Sequence, residues 1–344
     1  MNAVPSLDER LAQHEAWWRG RALLVSRRAH PGLGDLWLPL ADGTVARKDM
    51  RLSPEMLDLD RLAGPQRSPG ALRFVEDVID NDAPYVRVPW VEAILGCPIH
   101  ATIQGGSMRA LKLIDTWDQW PTVDRSQGAA WRETLAALLE RMVERASGNI
   151  AITQTLMRGP SDLAEAALGP ELMSYSLYDH PQELAAFLDE ATELFVEVLG
   201  DQLAGLPRIQ GGMVNPFGIW APGTVVRAQC DASAFLSPRQ YAEWIWPHDA
   251  ATCEAADYAV IHLHSGSLHV LDPILAAPKP QAVQVSIDPP PSSPPLVELL
   301  PAFRRILDAK ALIVDGPMEE SDLELLLENL PHAGLCVLVR QGTW

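Results

Sequence analysis

In the stretch Ala259 to His269, AVIHLHSGSLH, the first six residues predict a buried β-strand. Side chains alternate across a strand, so His262 and His264 share one face and Ile261 and Leu263 the other. Imidazole holds or releases a proton near neutral pH and ligates divalent metals. Two imidazoles on one face, at a strand end followed by a Ser-Gly-Ser turn, mark a candidate site. The plain alternative is a pair of core histidines bonded into a polar network.

Several other predicted strands also end in a polar residue: Gln154, Asp231, Asp288, Asp315 and Arg340. An aspartate after a strand often caps the next helix, a reading that suits Asp315 and competes evenly at Asp288. Asp231 precedes the next cap, Ser237, by several residues and is freer to face a site. In the predicted strand Val225–Asp231 it shares a face with Arg227 and Gln229. Catalytic zinc takes three protein ligands, such as two histidines and a carboxylate, and leaves one position open. Asp231, Glu92 and His269 are candidates for the third ligand. Asp231 is favoured because it ends the strand before the histidine pair. Arg158, Arg227 and Arg340 could grip a substrate carboxylate. Trp90, Met213 and Trp220 are candidates for an apolar pocket wall, against the ordinary reading of each as core.

The elements that must position these residues follow from periodicity. Ser6–Arg19, Ala71–Ile79, Ser126–Ser147 and Pro181–Leu203 read as helices, the last with apolar residues at the 3.6-residue period. Ser161 is a predicted N-cap and Gly169 a predicted stop. Ser237 with Gln240, and Ser321 with Glu324, form predicted capping boxes. Pro247 should end or kink the helix that starts at Ser237. Tyr85–Pro89, Asn149–Gln154 and Ile209–Met213 read as strands. From residue 149 onward, strands alternate with helices, which predicts parallel α/β architecture. No GxGxxG follows a strand, so a (β/α)8 TIM-type barrel is favoured over a dinucleotide-binding sheet. Its strand ends would converge on one mouth. Residues 1–70 read as an N-terminal helical and loop extension to a single domain spanning 1–344.

The formal net charge of −18 argues against nucleic acid and anionic membranes as partners. The N-terminus lacks the basic-then-apolar pattern of a signal peptide, so a cytoplasmic protein is expected. Cys97, Cys230, Cys253 and Cys336 form no CxxC and read as reduced, buried thiols.

Arg158-Gly159-Pro160, the segment LSPRQYAEWIWP and the strand end IHLHSGS together resemble the uroporphyrinogen decarboxylase superfamily. The resemblance runs from about Trp90 to the C-terminus and is strongest over residues 150–288. It implies a (β/α)8 barrel with a deep central cleft. The superfamily also holds zinc-dependent methyltransferases that move methyl groups to and from corrinoid or thiol carriers. In that branch a His-x-Cys pair supplies zinc ligands, where this chain has His262-Leu263-His264. The branch has a further cysteine near the C-terminus, but Cys336 reads as a core residue away from the mouth. The arginine-rich N-terminal motif of the decarboxylases is not reproduced in WWRGRALLVSRRAHPG. Three functions follow as expectations. The first is metal-dependent demethylation of a small methylated substrate, with zinc on His262, His264 and Asp231 and a corrinoid protein as partner in trans. The second is a metal-free decarboxylase or lyase acting on a carboxylated substrate such as a tetrapyrrole. The third is a non-catalytic binding subunit. A homodimer is a further expectation.

Overall fold

The computed structural model describes residues 5–29, 38–102, 108–289 and 291–341. Part of the 1–70 segment and one residue of the Pro-rich turn after Asp288 lie outside the described residues. The fold is mixed α/β. Eight strand segments take part in parallel pairing among the described residues. They are β1 (Leu24–Ala29), β2 (Asn81–Asp82), β3 (Ala151–Ile152), β4 (Val225–Gln229), β5 (Tyr258–His264), β6 (Ala282–Ser286), β7 (Ala311–Pro317) and β8 (Leu335–Gln341). Six form one sheet in the order β1-β8-β7-β6-β5-β4, so the first strand pairs with the last. The other two, β2 and β3, pair with each other.

No backbone ladder joins β1 to β2 or β3 to β4 among the described residues, so the ladders form no closed sheet. Side chains bridge both gaps. Gln154, just beyond β3, donates through Nε2 to the Arg227 carbonyl at 3.2 Å and accepts from the Arg227 N–H at 2.9 Å. At the other seam Arg28 donates to the Ile79 carbonyl at 2.8 Å and to Asn81 Oδ1 at 3.1 Å. Every residue of β4 is buried, as are the first four of β6 and the first six of β7. Parallel strands covered on both faces read as such apolar runs.

The helices obey their sequence signals with some shifts. Leu7–Trp18 starts on the Ser6–Glu9 capping box. Its buried His14 accepts from the Trp220 N–H at 2.8 Å and meets the Asp77 carbonyl at 2.7 Å, a satisfied core histidine. Gly128–Ala146 and Pro181–Gly205 match the predicted helices. In Pro160–Asp179 the N-cap is Gly159, not Ser161, which lies buried in the first turn. Gly169, at φ 76°, breaks the helical geometry as expected, but Pro170 restarts it. The Ser237 box forms. Its helix continues through a π-turn, Tyr241–Ile245, into Trp246–Glu254. Proline lacks the N–H that continues the ladder, and the wider turn absorbs the loss. The last capping box is Glu319 with Asp322, two residues earlier than Ser321 with Glu324.

Four expectations are corrected. Ala71–Ile79 is not a helix: Phe74–Val75 and Val78–Ile79 form an antiparallel hairpin, turned by Glu76 at φ 52°. Asp77 in that turn accepts from the Val25 N–H at 2.9 Å, a tertiary bond that the apolar pattern does not encode. Tyr85–Pro89 is not a strand; the pairing segment is Asn81–Asp82. Instead of Ile209–Met213, Met213–Val214 pairs with Trp220–Ala221. Residues 1–70 are not merely an extension, because β1 is part of the main sheet. The four cysteines are free and buried. No helix among the described residues is long and apolar enough to cross a membrane.

Candidate metal centre

The centre is assembled by register. Gln229 at the end of β4 lies beside His262 of β5, and His262 lies beside Gln284 of β6. After β4 the chain turns at Cys230 into a 3₁₀ turn, Asp231–Phe235. That turn brings Asp231 Oδ1 to 3.5 Å from His262 Nε2 and 3.6 Å from His264 Nε2. The two rings stand edge to face, with centroids 4.9 Å apart. One ligand atom from each of the three residues lies within 4.8 Å of the others. These separations are too long for strong hydrogen bonds. They approach the roughly 3.3 Å edge of a tetrahedron built with zinc–ligand bonds of about 2.0–2.1 Å.

Both histidines are held from behind. His262 Nδ1 contacts Gln284 Oε1, and His264 Nδ1 lies 2.7 Å from Asp288 Oδ1. Both partner atoms only accept, so Nδ1 carries a proton in each ring and Nε2 is turned toward Asp231, free in neutral His262 and freed in His264 when a metal displaces its second proton. Asp231 is held too. Arg227 donates to Gln229 Oε1 at 2.6 Å, and Gln229 donates to Asp231 Oδ2 at 2.5 Å. Asp231 Oδ1 is buried and has no hydrogen-bond partner among the described residues. An orphaned carboxylate oxygen facing two imidazole Nε2 atoms fits a divalent cation by donor type and spacing. The buried group could therefore hold a metal.

Electrostatics divide the pair. Burial, aided by the Arg227 charge, pushes His262 down to about 3 and keeps it neutral. Asp231 and Asp288 hold His264 up to about 9 against its partial burial. Burial would raise Asp231, but His264, His262 and Arg227 hold it down to about 2. The sign for the metal-free protein follows. A histidine with a raised folded pKa stabilises fully below its unfolded value, about 6.5, and loses that contribution as pH rises through about 9. Histidine NMR should show His264 titrating near pH 9 and His262 silent above pH 4. A His264 midpoint near 6.5 would contradict this geometry.

The other predicted residues are placed as follows. Arg227 reaches the centre through Gln229 and is buried, so it is not open to a substrate. Arg340 makes two hydrogen bonds to Asp315, one of 2.6 Å; that aspartate lies within β7 and does not cap the next helix, which starts on Glu319. Asp315 is buried, so Arg340→Met should cost about 1–3 kcal/mol by leaving its carboxyl unpaired, measurable by urea unfolding. Glu92 is 1% exposed and 3.4 Å from Arg158 Nε, and burial raises its pKa. It is absent from the metal-ligand cluster, as is His269, which meets the Leu236 carbonyl at 2.9 Å. Trp90 packs edge to face on Trp131 and donates to the Tyr85 carbonyl. Trp220 donates to the Ile209 carbonyl, and Met213 is buried in the hairpin with it. These three side chains are engaged in the core. Arg158 lines a cavity of about 1190 Å³ with Lys48, Arg109, Lys112, Glu165 and Tyr175 among others. None of the three centre residues lines that cavity, so the centre is assigned on its donor chemistry and not on cavity size.

Sequence reasoning missed Gln284 and the role of Gln229. A signal existed in Gln284, the polar residue in the middle of AVQVS, one strand on from His262. Asp288 was visible as a strand end, but its bond to His264 was not. Asp162, whose Oδ1 accepts from the Ala232 N–H at 2.7 Å, carries no signal in the sequence pattern.

The chain matches no protein-family model and no curated protein. Among solved structures it is similar to a methyltransferase from Methanosarcina mazei, with TM-score 0.59 and 14% identity, over 96% of this chain and 93% of that one. At that identity the likeness is one of fold, and it spans nearly the whole of both chains.

Proposed function

We propose that this chain is a metal-dependent methyl-transferring enzyme built on a (β/α)8 barrel. The carrying observation is the Asp231–His262–His264 cluster, with its three ligand atoms within 4.8 Å and Asp231 Oδ1 orphaned among them. The overall likeness to a methyltransferase favours this chemistry over others the fold could host. The pairing of β1 with β8, and the side-chain bridges across both seams, favour a closed barrel.

In this reading zinc, when bound, supplies a Lewis acid that activates the methyl-accepting or leaving group. Gln284 and Asp288 orient the two rings and fix their tautomers. Gln229 and Arg227 hold the Asp231 carboxylate ionised and aimed. The substrate is a small methylated molecule, and the methyl carrier a corrinoid protein in trans. Metal analysis of the purified protein by mass spectrometry tests the reading. About one equivalent of zinc per chain is expected. A metal-free protein that stays active after chelation would sink it.

One observation favours a second reading. His264, charged near neutral pH between Asp231 and Asp288, is poised as a general acid for a metal-free carboxy-lyase. Arg158, which lines the large cavity beside its partner Glu92, would then grip the carboxylate. The metal measurement separates the two.

A further inference from the structure

The helix Pro160–Asp179 begins against the corner where β4 ends. Gly159 caps it, and a Cβ built there would lie 2.0 Å from the Gln229 carbonyl oxygen. Three residues on, Asp162 is buried in the first turn, where a carboxylate is ordinarily held by the free N–H groups of its own helix. Here its Oδ1 accepts instead from the Ala232 N–H at 2.7 Å. Ala232 follows Asp231 directly, so this bond fixes the peptide plane that joins them.

We propose that Asp162 is a positioning residue for the centre: by accepting the Ala232 N–H it fixes the Asp231 backbone and so aims Asp231 Oδ1 at His262 Nε2 and His264 Nε2. This rests on the metal reading given above. Asp231 is then held at two points, its backbone through Asp162 and its Oδ2 through Gln229. Neither contact touches Oδ1, which is left for the cation. Outer partners of this kind characteristically tune metal affinity without ligating. The arrangement requires an acceptor oxygen at this place and not a negative charge, so an amide should serve as well as a carboxyl.

The test compares wild type, Asp162→Asn and Asp162→Ala. Zinc affinity is read by chelator competition, ligand number from the visible spectrum of the cobalt(II)-loaded protein, and Ala232 amide exchange on the metal-free protein. Asp162→Ala should weaken zinc binding about 10–100-fold, alter the cobalt spectrum and speed exchange at Ala232. Asp162→Asn should stay within a few-fold of wild type in all three. A folded Asp162→Ala that binds zinc as tightly as wild type overturns the proposal. So does a lowered melting temperature with an unchanged cobalt spectrum, or an Asp162→Asn as weak as the alanine variant. Should the alanine variant fail to fold, Asp162→Ser, too short to reach Ala232, takes its place. Absence of zinc binding by wild type would sink the metal reading. Ala232 exchange would still decide whether Asp162 holds the turn, and unchanged exchange would refute that as well.

Discussion

The double substitution His262→Ala/His264→Ala is expected to lower bound zinc from about one equivalent to background. It removes both imidazole Nε2 donors and leaves Asp231 Oδ1 as a single oxygen donor. In the metal-free protein it also removes the charged His264 that faces Asp231, so the pKa of that half-buried carboxylate should rise. Single changes behind the rings should act more mildly. Asp288→Ala and Gln284→Ala each release one Nδ1 and should weaken metal binding about 10–100-fold while leaving all ligands in place. Metal analysis after dialysis, with circular dichroism as the folding check, reads all three. An unchanged metal content in the folded double variant would refute the centre.

The second large effect is expected at Gly159→Ala. One methyl group there would meet the Gln229 carbonyl oxygen at 2.0 Å, and that atom is backbone, so it cannot swing aside. The helix must withdraw from the corner, or the end of β4 must shift. A loss of at least about 3 kcal/mol in unfolding free energy is expected, read from denaturant unfolding. Metal affinity should fall with it, because the same corner carries Asp231. A change below 1 kcal/mol with unchanged affinity would mean that helix and strand are less tightly docked than described.

Much of the centre was legible in the sequence because strand periodicity is local. Alternation alone put His262 with His264 and Arg227 with Gln229; Asp231, read as the end of that strand, reaches the centre instead through the 3₁₀ turn after Cys230. The parallel sheet was legible in the same way, from short apolar runs alternating with helices. What local pattern does not carry is tertiary. Arg340 and Arg227 read as substrate grips, and the structure adds a partner for each, Asp315 and Gln229. Trp90, Met213 and Trp220 followed composition into a pocket, where packing puts them in the core. The segment 71–79 read as helix because its apolar residues recur, yet Asp77 bonding to β1 decides it. Asp162 was invisible because its partner is a backbone N–H far along the chain.

The pairing of β1 with β8 bears on how the polypeptide matures. Among the described residues Leu24 takes its ladder partner in Cys336, far along the sequence. During synthesis the strand edge of β1 must wait until every element between them has been made. A nascent chain halted before Leu335 would bare two edges at once, that of β1 and that of β7. Unpaired strand edges are sites for association with other chains. Late emergence of one short segment thus governs when the growing polypeptide is protected from its own kind.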